Sequence, residues 1–114
     1  MERLKYIPER GDIIYTSFSP TRGREQRGRR PALILSPHNY NARSELAVVC
    51  PITSTIRGVL FEVIIETSKI KGVILSDHIR SLSWKDRSVK FLCKCPSEVL
   101  QDVSAKLSVL IQGD

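Results

Sequence analysis

Asp12-Ile13-Ile14-Tyr15-Thr16-Ser17-Phe18 and Pro31-Ala32-Leu33-Ile34-Leu35 stand on either side of Arg22-Gly23-Arg24-Glu25-Gln26-Arg27-Gly28-Arg29-Arg30. The first segment is rich in β-formers and is bounded by Gly11 and by Ser19-Pro20, so it reads as a strand. The second is a continuous apolar run, the pattern of a buried strand. Pro31 can open it because ladder bonding starts after it. Between them lie five arginines, one carboxylate and two glycines. Each glycine costs about 1 kcal/mol in a helix interior, so the linking stretch reads as a loop. Its charge of about +4 suits a polyanion. Glu25 is the odd member. A surface that only holds phosphate gains nothing from it, whereas one that breaks a phosphodiester can use a base. The alternative is a solvated loop in which Glu25 pairs with a neighbouring arginine.

The rest of the chain bounds the possibilities. With 114 residues it is read as a single domain over 1–114. The formal charge of +6 and pI near 9.6 favour an anionic partner. Aromatic residues make up only 6%, too few for a broad base-stacking platform. No apolar run approaches the ~20 residues of a membrane span, and Met1 to Tyr6 has no signal-like apolar core. The expectation is therefore a cytoplasmic protein with no membrane role. Cys50, Cys93 and Cys95 form no disulfide framework and have no further ligands at metal spacing, so they read as structural thiols.

Further strands are expected at Leu46–Thr53, broken near Pro51, at Leu60–Ile65, at Gly72–Ser76 and at Val89–Cys93. The alternation through Ile79–Trp84 continues the same sheet. Ser36–Arg43 is polar and reads as a loop or one helical turn. The period changes at the C-terminus, where Val99, Val103, Leu107 and Leu110 share a helical face widened by Leu100 and Ile111. Ser97 is its candidate N-cap, Pro96 suits the first turn and Gly113 ends it. The helix must bury this stripe against the sheet or a second subunit.

Taken in order, several segments resemble the MazF/PemK toxin family. They are Gly11-Asp12-Ile13-Ile14, Phe18-Ser19-Pro20, Gly23-Arg24-Glu25-Gln26 and Arg29-Arg30-Pro31-Ala32. Pro51-Ile52-Thr53-Ser54, Phe61-Glu62-Val63 and the run from Val73 to Leu82 follow, and the C-terminal helix fits too. The resemblance spans roughly residues 7 to 111. It implies a mainly β fold with a C-terminal helix, an SH3-like small β-barrel of the PemK/CcdB-like toxin type, and a homodimer. It implies the toxin of a type II toxin–antitoxin system, a sequence-specific endoribonuclease that cuts single-stranded RNA without metal or cofactor. Attack by the ribose 2′-OH would leave a 2′,3′-cyclic phosphate and a 5′-OH. The implied partners are that RNA and a MazE-like antitoxin with an acidic tail, through which alone DNA is contacted.

On the same grounds Arg30 and Thr53 become catalytic candidates. The Arg30 fork can hold two non-bridging phosphate oxygens and stabilise the charge of the transition state. A guanidinium loses its proton only above pH ~12, which argues against Arg30 as the acid. The Thr53 hydroxyl could donate to the phosphorane or fix the scissile group. Glu25 is the nearby acidic candidate for a base. Arg22, Arg24, Arg27 and Arg29 read as phosphate contacts, Gln26 as a base-edge contact and Ser54 as a weaker neighbour of Thr53. His78 departs from the family, which commonly has Gln there. It could contact a base or join the chemistry, since histidines ordinarily titrate near pH 6.5. Two other readings stay open. One is an RNA-binding module without chemistry. The other is a CcdB-like gyrase-binding toxin, although the chain ends Ile111-Gln112-Gly113-Asp114 with its only Trp at 84.

Overall fold

The computed structural model describes residues 6–18 and 29–113. Along them run β1 (Asp12–Ser17), β2 (Arg29–Ile34), α1 (His38–Ser44), β3 (Leu46–Thr53), β4 (Glu62–Glu66), β5 (Lys71–Leu75), β6 (Arg80–Ser83), β7 (Lys90–Lys94) and α2 (Ser97–Gln112). The strands form a curled antiparallel sheet in the order β4-β5-β3-β2-β1-β7, with β6 paired to β3. The architecture is thus mainly β, a half-barrel closed by the C-terminal helix.

The apolar runs are continuous because both faces of the central strands are covered. Ile13 and Leu33 face one core with Cys50, Ile52, Ile65, Ile74 and Val103. Ile14, Ala32 and Ile34 face the other with Ala47, Val49 and Leu82, where Phe18 and Trp84 also pack. Side chains alternate across a strand, so one sequence run feeds two cores.

β3 decides where the molecule opens. On one edge it pairs with β2, through Ala32↔Pro51, Leu33↔Cys50 and Ile34↔Val49. Its other edge is divided. Leu46–Val49 pairs with β6, whereas Ile52 and Thr53 pair with β5. The hand-over falls at Cys50-Pro51, where proline brings no N–H in need of a partner. Residues 76–79 cross the resulting gap between β5 and β6.

Two expectations need correction. The polar segment at Ser36–Arg43 is a two-turn helix rather than a loop or a single turn. Asn41 secures it from within the core: its Nδ2 donates to the Pro8 and Ser36 carbonyls, and its Oδ1 accepts from Ser36 Oγ. Ser97 does not cap α2; Pro96 occupies the N-cap position, and its carbonyl accepts from Leu100 N. Arg80–Ser83 does join the same sheet, as β6, although β5 and β6 take different parts of the β3 edge. The α2 stripe is buried at Val103 and half-buried at Val99, Leu100 and Leu107, while Leu110 and Ile111 remain exposed.

Candidate active site

The β2–β3 register, carried two residues beyond Ala32↔Pro51, sets Arg30 opposite Thr53. Both belong to the face of the second core, past Ala32 and Val49, where the sheet runs out of apolar side chains. That face opens into a groove of about 710 Å³. Arg30, Pro51 and Thr53 line it from β2 and β3; Phe18 lines it from the end of β1. Thr55, Arg57 and Val59 come from the loop before β4, and Glu62 from its first residue. Leu75, Asp77, His78 and Arg80 form the wall beside the β5–β6 gap. Arg30, Thr53 and Thr55 also border an adjoining pocket of about 410 Å³, which adds Ser54 and Lys71. The two side chains therefore sit where two openings meet.

Close packing fixes Thr53. An added Cβ on Gly72 would lie 2.3 Å from the Thr53 carbonyl oxygen, so β5 can approach this end of β3 only with glycine there. The Thr53 hydroxyl accepts from Thr55 N at 3.2 Å, which leaves its proton available. Arg30 is exposed, and no described residue bonds its guanidinium. Arg80 stacks over Phe18 with its guanidinium carbon 5.2 Å from the ring centroid. His78 Nε2 lies 3.8 Å from Asp77 Oδ1, both well exposed, a pairing worth about 0–1 kcal/mol. That is too weak to lock the imidazole in place.

Among the described residues the groove holds three guanidinium groups, Arg30, Arg57 and Arg80, and two carboxylates, Glu62 and Asp77. Glu25 is therefore not the one acidic candidate near the site, as the sequence reading held. The distant positions 57, 62, 77 and 80 converge here through strand pairing, which linear spacing does not reveal. One signal was present: Arg57-Gly58 pairs a cation with a bend residue.

Arg29 is directed elsewhere, consistent with side-chain alternation. Its guanidinium carbon lies 5.2 Å from the Tyr15 ring centroid and its Nη2 donates to the Ser88 carbonyl at 3.4 Å. Arg22, Arg24, Glu25, Gln26 and Arg27 lie outside the described residues. Cys50 is buried under the gap, its Sγ 3.6 Å from the Ser76 carbonyl oxygen. Burial, aided by Asp77, pushes its thiol up to about 12, so it stays neutral and is no nucleophile. Among the described residues no group of three His, Cys, Asp or Glu side chains is placed to hold a metal ion.

Comparison with known proteins places this geometry. Residues 9–111 match the family model described as PemK-like, MazF-like toxin of type II toxin-antitoxin system. The endoribonuclease toxin MazF of Escherichia coli K12 is 38% identical over 107 residues, covering 94% of this chain and 96% of that protein. The crystal structure of MazF from Deinococcus radiodurans is 42% identical and superposes with a TM-score of 0.85, covering 95% of this chain and 99% of that one. A MazE–MazF crystal structure from the same organism matches at 39% identity and a TM-score of 0.83, over 94% and 97% of the two chains. No described helix is long and apolar enough to cross a membrane. By its fold, its groove and these likenesses, the chain belongs to the PemK-like, MazF-like toxins of type II toxin–antitoxin systems.

Proposed function

We propose that this chain, as one toxin domain over 1–114, is a cytoplasmic endoribonuclease that cuts single-stranded RNA at chosen sequences. The observation that carries the reading is the joint placement of Arg30 and Thr53 where the groove meets its neighbouring pocket. A bent sugar–phosphate link laid across that junction has room for a nucleotide on either side. Arg30 takes the two non-bridging oxygens in its planar fork and offsets the charge that grows on the phosphorane. Thr53 donates its hydroxyl proton to the same group. The ribose 2′-OH attacks phosphorus as the P–O5′ bond breaks, and the departing 5′-oxygen takes a proton from solvent water, giving a 2′,3′-cyclic phosphate and a 5′-OH. Glu25 is assigned the removal of the 2′-OH proton. Arg22, Arg24, Gln26, Arg27, Ser54 and His78 supply RNA contacts. Arg29 joins them only if it leaves Tyr15.

The chain acts as a homodimer and is restrained by a MazE-like antitoxin whose acidic tail covers the groove. The MazE–MazF structure from Deinococcus radiodurans supports an antitoxin partner. The arginines that hold phosphate also attract carboxylates. The test is incubation of purified protein with RNA in EDTA, followed by analysis of the cut ends. Cyclic-phosphate and 5′-OH ends are expected, and Arg30→Ala and Thr53→Ala should abolish them without unfolding the protein. RNA that stays bound but intact would favour a binding module instead.

A further inference from the structure

Glu62 lines the groove beside the guanidinium groups. A free carboxylate there would repel phosphate, but this one is already engaged. Its Oε1 accepts the N–H of Gly58 at 2.9 Å and that of Arg57 at 3.2 Å, and Oε2 lies 3.2 Å from the same Arg57 nitrogen. Gly58 has φ +75°, so the turn can present two successive N–H groups to one acceptor. Residues 54–60 are all exposed, and the carboxylate ties their turn to the first residue of β4. Glu62 takes the Arg57 backbone and leaves the guanidinium, which no described residue engages.

We infer that Glu62 is a positioning residue, holding the 57–58 turn so that Arg57 meets the RNA backbone in the groove. The inference rests on the ribonuclease reading above. Its chemistry differs from that of a base, because the carboxylate acts as an acceptor of two backbone protons.

Glu62→Gln keeps an oxygen at the Oε1 position and hence both N–H bonds; Glu62→Ala keeps neither. Kinetics on a fluorescent single-stranded RNA that the wild type cleaves should separate the roles. Glu62→Ala and Arg57→Ala should each raise KM about tenfold, the size of one charge-assisted contact, with kcat within about twofold. Glu62→Gln should match the wild type. The double variant should be no worse than either single one, since both remove the same contact. In amide NMR spectra the Arg57 and Gly58 resonances should move in Glu62→Ala and stay in Glu62→Gln.

A Glu62→Gln variant that loses kcat at unchanged KM would make the carboxylate a base and overturn the inference. Additive KM effects would overturn it as well. Amide resonances indifferent to Glu62→Ala would remove the clamp even if wild-type cleavage stands. A wild type that cleaves no RNA would instead defeat the proposed function, and the substrate half of this inference with it.

Discussion

Arg30 and Thr53 hang from adjacent strands on one face, so the pair is set by a backbone ladder rather than by a loop. Lysine is a poor substitute for a planar fork. Arg30→Lys should therefore lower kcat by roughly 100-fold while preserving charge, which single-turnover assays would show. His78 stands on the exposed groove wall. We expect His78→Gln to change the sequence cut while kcat holds, as 5′-end sequencing of cleaved transcripts would report; a collapsed kcat would give the imidazole a chemical role. Arg30 and Thr53 were legible as candidates because motif order pointed to them. Glu62 and Arg57 were not, since a carboxylate at a strand start gives no hint that it will grip backbone five residues earlier.

β5 meets β3 so closely at Gly72 that a methyl group there must displace the Thr53 carbonyl. Gly72→Ala should cost about 1–3 kcal/mol of stability by overpacking, read as a lower denaturant midpoint, and should reduce kcat although it touches no substrate. A second element-scale device ties the segment before β1. The Tyr6 hydroxyl donates to Asp12 Oδ2, and Lys94 Nζ lies 2.7 Å from Asp12 Oδ1. Burial, then the bond to Asp12, lifts Tyr6 well above its ordinary 10.0. The same carboxylate lifts Lys94 above its ordinary 10.5. Both folded values exceed the unfolded ones, so this contribution is whole below about pH 10 and is lost as pH rises beyond it. Thermal midpoints should fall more steeply above pH 10 in the wild type than in Tyr6→Phe. β1 could be read from its β-formers, β2 from its unbroken apolar run and α2 from apolar periodicity. α1 could not, because what holds it is Asn41 bonding to the distant Pro8 carbonyl and to Ser36.

For the molecule as a whole, the +6 charge gave the class of partner, but only the fold showed that Arg57 and Arg80 join Arg30 in one groove. Three groove arginines engaging phosphate should contribute roughly −2 to the slope of log affinity against log salt. Filter binding of RNA to the Thr53→Ala variant over a salt series would measure it. The half-barrel itself was legible only through family likeness, since no local pattern reveals that β3 divides one edge between two partners.

That division separates what must stay rigid from what can vary. Arg30 and Thr53 stand at the end of the ladder between β2 and β3, whose central residues are wholly buried. The surrounding loop 54–60 and turn 76–79 are largely exposed, and apart from Glu62 and Ser76 they lean little on the core. Mutation can thus redraw the border of the cleft while the centre keeps its spacing. On the proposed function, we expect a lineage with this scaffold to change its RNA vocabulary sooner than it loses the ability to cut.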